Sequence, residues 1–329
     1  MDSPGSVSLT FAAVQRAGEV VAATLPATPL VAHPVLDRTV GRTILVKHEH
    51  VLPTGSFKVR GGVHLGATLT ETERRVGLVT TSTGNHAQSV AFAARAAGVQ
   101  ATIVMPRCAP EVKRDAVEAL GAQVIVHGDG LGEAAAYARS LAVDGGYVDP
   151  TDPRIILGHA TAYLELFTAV PALGALYVPI GSGTGAAGAC VVRDALAPDC
   201  AVIGVQSSSA PAGWRSWRSG RIETAAATTR ASGLATTSGY PATLATLRAG
   251  LADFVLVSDD EIDAAARLLA TRAGTLAEGA GAAALAGLIA QVQAPSGGPG
   301  SDRPVAVVCT GANASADEIA RLAGSVAAA

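Results

Sequence analysis

Short apolar, β-branched runs alternate with longer alanine-rich stretches along this chain. The runs Thr43–Lys47, Val76–Thr80, Ala101–Met105 and Gln123–Val126 have the length and composition of buried strands. So do Ala175–Ile180, Val202–Gln206, Phe254–Val257 and Val305–Val308. Between them, His86–Ala97, Pro110–Leu120, Thr184–Leu196 and Asp260–Arg272 predict helices. Ser258, with Glu261 three residues on, forms a capping box that opens the last of these. Strand–helix alternation of this kind predicts an α/β fold with parallel sheets flanked by helices. The segment Ala294–Arg303 (APSGGPGSDR) reads as a surface loop.

Composition narrows the picture. A chain of 329 residues, 49% hydrophobic and 16% charged, can bury a sizeable core and favours two domains over one. No linker stands out, which fits two domains that the chain crosses between more than once. The net charge of -3, with both signs interspersed, gives no electrostatic case for a nucleic-acid or membrane-surface partner. Cys108, Cys190, Cys200 and Cys309 form no CxxC pair, so a reduced cytoplasmic protein without a zinc site is expected. The N-terminus MDSPGSVSLT has no basic region followed by an apolar run, so no signal peptide is expected. Nor is a transmembrane helix, since no run of about 20 apolar residues occurs. Lysine occurs only at Lys47, Lys58 and Lys113, so chemistry needing an amine nucleophile has three candidates.

Four segments could carry chemistry. In Pro53-Thr54-Gly55-Ser56-Phe57-Lys58 a turn leads into a helix predicted from Lys58 onward. An amine at such a junction can project into a cleft, and partial desolvation makes it nucleophilic. Taken alone it reads better as an ordinary surface lysine. Lys113 lies among Glu111, Arg114 and Asp115 on a helix and is expected to be solvated. Lys47 is beside Glu49 and open to pairing. In Thr81-Ser82-Thr83-Gly84-Asn85-His86, hydroxyls and a glycine precede a helix N-terminus whose free N–H groups suit a carboxylate. A plain cap explains half of that motif. Gly181-Ser182-Gly183-Thr184-Gly185 lies between strand and helix, where successive N–H groups can cradle phosphate. The same stretch matches the dinucleotide pattern through Gly188, but the following strand ends at Gln206, where that fold wants an acid. No Gly-Lys pair exists, which excludes a Walker A loop. Cys309-Thr310-Gly311-Ala312-Asn313 ends the last strand with a hydroxyl that could meet a ring nitrogen, or is simply a turn. His48 and His50 would share one face of a strand and could bind a metal, but no third ligand is near in sequence. Trp214-Arg215-Ser216-Trp217-Arg218 reads as packing with solvated charge, with an arginine that could guide an anion.

In this order the segments resemble the serine/threonine dehydratase group of fold-type II pyridoxal-phosphate enzymes. The resemblance runs from Thr28-Pro29-Leu30 through Lys47-His48-Glu49-His50, Gly55 to Gly62, Ser82 to Gln88 and the glycine loop. It continues through Ala210-Pro211, Ser232 to Ala235, Glu278 to Ala282 and the Thr310 turn. It implies a two-domain, tryptophan synthase β-like fold of twisted parallel sheets with the cofactor between domains. Residues 1–73 and 151–329 would form a large cofactor-binding domain, and residues 74–150 a small domain for the substrate carboxylate. Lys58 would hold pyridoxal 5'-phosphate as a Schiff base and act as general base. Phe57 would pack near the cofactor, and Asn85 would hydrogen-bond its phenolic oxygen. Ser82, Thr83, Gly84, Asn85 and His86 would bind the substrate carboxylate. Gly181, Ser182, Gly183, Thr184 and Gly185 would hold the phosphate. Thr310 would meet the pyridine nitrogen, and Glu278 would lie near the ring.

The activity implied is elimination from a β-hydroxy amino acid, such as L-threonine or L-serine, giving a 2-oxo acid and ammonia. The partner is then a small amino acid, in a cytoplasmic homodimer. Thr83 stands where serine racemase has a second base, so racemisation is a side possibility. Gln206 and Ala212 occupy the positions of that racemase's divalent-cation ligands, and neutral side chains bind hard cations poorly, so no metal is expected there. Gly158-His159-Ala160-Thr161 replaces the group's Gly-Gln-Gly-Thr, which leaves the substrate side chain open. With no room after Asn313 for a regulatory domain, end-product inhibition of the biosynthetic kind is not expected. A β-replacement synthase is the main alternative, and a non-catalytic relative or a nicotinamide enzyme are weaker ones.

Overall fold

The computed structural model describes residues 8–109, 111–143, 145–294 and 303–324; most of the loop expected at Ala294–Arg303, and Pro110, lie outside them. Nine strands form there: β1 (Leu30–Ala32), β2 (Ile44–His48), β3 (Leu78–Thr81), β4 (Ala101–Met105), β5 (Gln123–Val126), β6 (Ala175–Pro179), β7 (Ala201–Ser207), β8 (Asp253–Val257) and β9 (Val305–Cys309). The chain divides into two compact units, one of Met1–Pro26 with Lys58–Thr161, the other of Ala27–Phe57 with Ala162–Ala329.

The first unit contains the parallel sheet β3-β4-β5. β3 begins at Leu78, later than the apolar run suggests, because a capping box of Thr70 and Glu73 starts a helix that consumes Val76. Gly77, at φ 80°, then turns the chain into the strand. Helix Lys58–Ala67 and helix Asn85–Ala97 pack through small residues. A Cβ on Gly62 would collide with the Ser89 carbonyl, and one on Gly66 would lie 3.1 Å from the Ala93 carbonyl oxygen. On its other side, a Cβ on Gly61 would lie 2.6 Å from His159 Nε2. Glycine here lets three helices approach more closely than any side chain would permit. Leu65, Leu78, Ala87, Val90, Ile103 and Met105 fill the core beneath.

The second unit contains a six-stranded sheet in the order β1-β2-β9-β6-β7-β8. Five strands run parallel, and β1 pairs antiparallel with β2 at the edge. Helix Gly279–Gln293 is apolar nearly all round, which marks a buried helix. Gly287 lets it lie on β7, since a Cβ there would sit 2.5 Å from Val205 Cγ2. Leu285 and Leu288, with Tyr177, Val205 and Val307 of the sheet, belong to one buried cluster. Each such leucine stabilises the fold by about 1.5–3 kcal/mol through apolar burial. The capping box expected at Ser258 is present, with both bonds between Ser258 and Glu261 made.

Candidate active site

In the first unit, Lys58 is the first residue of its helix and only partly exposed. Its carbonyl accepts a hydrogen bond from Ser89 Oγ at 2.6 Å, and the His159 ring also bonds the Lys58 backbone. Burial pulls the Lys58 amine down to about 8, so a useful fraction is unprotonated near neutral pH. His86 and His159 are both buried within electrostatic reach of that amine, and desolvation holds both neutral.

Ser82 to Asn85 follow β3 and lead into helix Asn85–Ala97. The Gly84 N–H donates to Ser82 Oγ at 3.2 Å, which leaves the Ser82 proton to point elsewhere. Within the helix the first N–H to find a carbonyl is that of Gln88, on Gly84. The N–H groups of Asn85, His86 and Ala87 precede it and have no intrahelical acceptor. No acidic side chain occupies the first turn, and a Cβ on Gly84 would meet nothing within 4 Å. The result is an open, electropositive helix end flanked by the hydroxyls of Ser82 and Thr83, suited to a carboxylate.

In the second unit the glycine loop Gly181 to Gly185 joins β6 to helix Thr184–Leu196. Gly183 caps that helix at φ 81°, a left-handed conformation that glycine adopts without strain. Thr243 Oγ1 donates to the Ser182 carbonyl at 2.8 Å and so fixes the loop from behind. Gly185 brings the helix close to two rings: a Cβ there would lie 3.1 Å from Tyr163 Oη and 3.3 Å from Phe57 Cε2. With no acid in the first turn, the helix end offers N–H groups and dipole to an anion.

The first and fourth sequence motifs are stitched together. Phe57 N–H donates to the Thr310 carbonyl at 2.9 Å, Ala312 N–H to the Gly55 carbonyl at 2.9 Å, and Asn313 Nδ2 to the Thr54 carbonyl at 2.8 Å. These bonds set the Phe57 ring beside Gly185, and Lys58 follows it directly in the chain. The Thr310 hydroxyl is buried and donates to the Ala280 carbonyl at 3.2 Å. Glu278 is buried at the N-cap of helix Gly279–Gln293, and its N–H donates to the Gly311 carbonyl.

Other sequence candidates have structural employment. Lys47 pairs chiefly with Glu165 at 2.6 Å, a partner 118 residues away, rather than with Glu49 at 3.9 Å. Lys113 is partly exposed on helix Glu111–Glu118. His48 ends β2, whereas His50 lies in the turn Glu49–Val51, so they do not share a strand face. The two rings still pack edge-on with centroids 5.3 Å apart, and His33 meets His48 as well, Nε2 to Nε2 at 3.0 Å. Among the described residues no group of three or more His, Cys, Asp or Glu side chains is arranged to hold a metal ion. Trp217 packs on Phe254 and bonds the Leu247 carbonyl, while Arg218 stacks over Trp214. Sequence reasoning gave no role to Thr80, Tyr163 or Thr243, because an isolated hydroxyl in a strand or helix has no local pattern to mark it.

A family model described as pyridoxal-phosphate dependent enzyme matches residues 22–311. An L-threonine ammonia-lyase of Thermotoga maritima is 35% identical over 318 residues, 95% of this chain and 78% of its own length. The crystal structure of a threonine deaminase from T.th. superposes with a TM-score of 0.85 at 33% identity, covering 93% of this chain and 99% of that one. The serine racemase of Dictyostelium discoideum superposes with the same score of 0.85 at 28% identity, with 93% and 99% covered. The chain belongs to the pyridoxal-phosphate dependent enzyme family, with the mixed α/β architecture of its threonine deaminases. Its residues fit that cofactor. A desolvated amine is present for the aldehyde, and a glycine loop closed against Tyr163 and Phe57 for the phosphate. A neutral hydroxyl at Thr310 is present for the ring.

Proposed function

We propose that this enzyme is an ammonia-lyase converting a β-hydroxy amino acid, such as L-threonine or L-serine, to a 2-oxo acid and ammonia. The observation that carries this reading is Lys58. Its amine is lowered to about 8 at the head of a helix, one residue after the ring that lines the glycine loop. When bound, pyridoxal phosphate supplies an electron-accepting ring that acidifies the Cα–H of an amine attached to it.

The chain's own groups do the rest. Lys58 holds the cofactor through its amine and, once released, takes the Cα proton at Nζ. The N–H groups of Gly181 to Gly185, with the Ser182 and Thr184 hydroxyls, bind the phosphate. Phe57 would pack on the cofactor, and Glu278 would lie near the ring. Thr310, whose proton lies on the Ala280 carbonyl here, would turn it to the pyridine nitrogen, and so offer that nitrogen a neutral donor rather than a carboxylate. Such a partner leaves that nitrogen largely unprotonated, which suits elimination, where the leaving group carries the electrons away. Ser82, Thr83, Gly84, Asn85 and His86 would hold the substrate carboxylate through hydroxyls and N–H groups, and Asn85 would also hydrogen-bond the cofactor's phenolic oxygen. Similarity to an L-threonine ammonia-lyase along 95% of the chain supports this reading. It carries with it a cytoplasmic homodimer, which light scattering on the purified protein tests. No helix among the described residues is long and apolar enough to cross a membrane.

The test is 2-oxo acid release from a panel of β-hydroxy amino acids by wild type and Lys58→Ala. Release by wild type, reduced at least about a thousandfold in the variant, supports the lyase. A wild type that binds cofactor yet releases no 2-oxo acid, and forms a new amino acid when given a thiol, would replace it with a β-replacement synthase.

A further inference from the structure

Gly185 is the second residue of helix Thr184–Leu196, and two rings from other parts of the second unit stand against it. A Cβ there would lie 3.1 Å from Tyr163 Oη and 3.3 and 3.5 Å from Phe57 Cε2 and Cζ. Glycine is what lets a phenol oxygen come this close to the first turn. In a helix the Cα–Cβ bond leans toward the N-terminus. The space that Tyr163 Oη borders is therefore on the N-terminal side of Gly185. Ala187 is the first residue of this helix whose N–H finds a carbonyl, that of Gly183 at 2.8 Å. The N–H groups of Thr184, Gly185 and Ala186 come before it and have no intrahelical acceptor.

Tyr163 is held in that place. It is 1% exposed, on helix Pro153–Ala169. Two residues along, Glu165 accepts from Lys47 Nζ at 2.6 Å and from the Thr28 N–H at 3.2 Å, which pins this part of the helix to β2 and to the segment before β1. The other ring is fixed by the bond from the Phe57 N–H to the Thr310 carbonyl. The phenol O–H can donate, and the three N–H groups of the helix end can only donate. Donors gathered around one space suit an acceptor with several lone pairs, and a phosphate has them. The Phe57 ring gives that space an apolar wall, and a dry setting strengthens charge-assisted hydrogen bonds. Packing alone needs only the ring, which phenylalanine would supply without burying an oxygen.

We propose that Tyr163 is a further cofactor-binding residue, whose phenol O–H donates to the phosphate of pyridoxal phosphate beside the N–H groups of Thr184, Gly185 and Ala186. This rests on the reading of Gly181 to Gly185 as the phosphate cup. The tyrosine adds one side-chain donor to a cradle otherwise made of backbone and short hydroxyls. Its loss should be felt only by a ligand that carries the phosphate.

Two measurements test the assignment. The first compares the affinity of the cofactor-free protein for pyridoxal phosphate and for pyridoxal, which has a hydroxyl where the other has the phosphate ester, in wild type and Tyr163→Phe. Wild type should prefer pyridoxal phosphate. Tyr163→Phe should weaken pyridoxal phosphate at least about tenfold and leave pyridoxal unchanged. Equal weakening of both ligands would make Tyr163 a packing residue and overturn the proposal. A preference that survives Tyr163→Phe in full overturns the tyrosine assignment and leaves the phosphate cup standing. A wild type with no preference for the phosphorylated ligand takes down the cup and the tyrosine together. The second measurement uses wild type alone and so does not depend on how the variant folds. In protein labelled with 13Cζ-tyrosine, the Tyr163 resonance should differ between the pyridoxal phosphate and pyridoxal complexes. The same position in both overturns the proposal.

Discussion

Burying the Lys58 amine carries a cost. Its folded pKa of about 8 lies below the ordinary 10.5, so between those values the unfolded chain binds more protons than the folded one. Stability of the cofactor-free protein should therefore climb with pH across that window, and the full penalty should apply below it. Lys58→Met, which keeps the apolar stem without the charge, is expected to raise the melting temperature at pH 7, and the gain should shrink toward pH 10.5. Calorimetry at the two pH values checks this. Two buried histidines act in the acid range. His48 and His86 both fall to about 4 against an ordinary 6.5, chiefly through burial. Their neutral folded forms lose ground to the protonating unfolded chain as pH drops from 6.5 to 4, so stability should fall there. His48→Gln is expected to flatten that slope in acid unfolding curves, since an amide can still meet His33 and cannot take a proton.

At the scale of elements, glycine decides how closely helices and loops approach. Gly62→Ala would set a methyl on the Ser89 carbonyl in a helix pair with no slack. It should cost about 1–3 kcal/mol, read from denaturant midpoints. Gly183→Ala should leave the fold largely intact but force a left-handed residue at the cap of helix Thr184–Leu196, and so weaken cofactor phosphate binding. A fluorescence titration with pyridoxal phosphate measures the loss. Much of this level was legible in the residues. Ala101–Met105, Gln123–Val126 and helix Thr184–Leu196 have the expected bounds, because Pro106, His127 and Pro198 stand at or just past their ends. The loop Gly181 to Gly185 declares itself by composition. β1 does not, since three residues with an exposed face carry no alternation to detect. Nor does the tie between Lys47 and Glu165 or the Thr80–His86 contact, because both depend on tertiary approach. The passage from Phe57 to Lys58, where one unit gives way to the other, falls between adjacent residues with no linker to announce it.

At the scale of the whole molecule, both units consist of two stretches, and the chain passes between them after Pro26, Phe57 and Thr161. A cofactor that binds the folded chain and not the unfolded one should stabilise it by mass action. Pyridoxal phosphate at a hundred times its Kd should add about 2.7 kcal/mol to wild type. Lys58→Ala and Gly183→Ala should each show a smaller rise in melting temperature at the same cofactor concentration. The order of strands has a further effect. β9, which lies after all its neighbours in the chain, sits between β2 and β6 near the middle of its sheet. While the polypeptide is emerging from the ribosome, β2 waits for a partner that has not yet been made, and the Phe57 turn waits for Thr310. Translation must run past Cys309 before the Phe57 turn can close on Thr310, so a nascent chain halted earlier should carry an unzipped sheet and a loose turn.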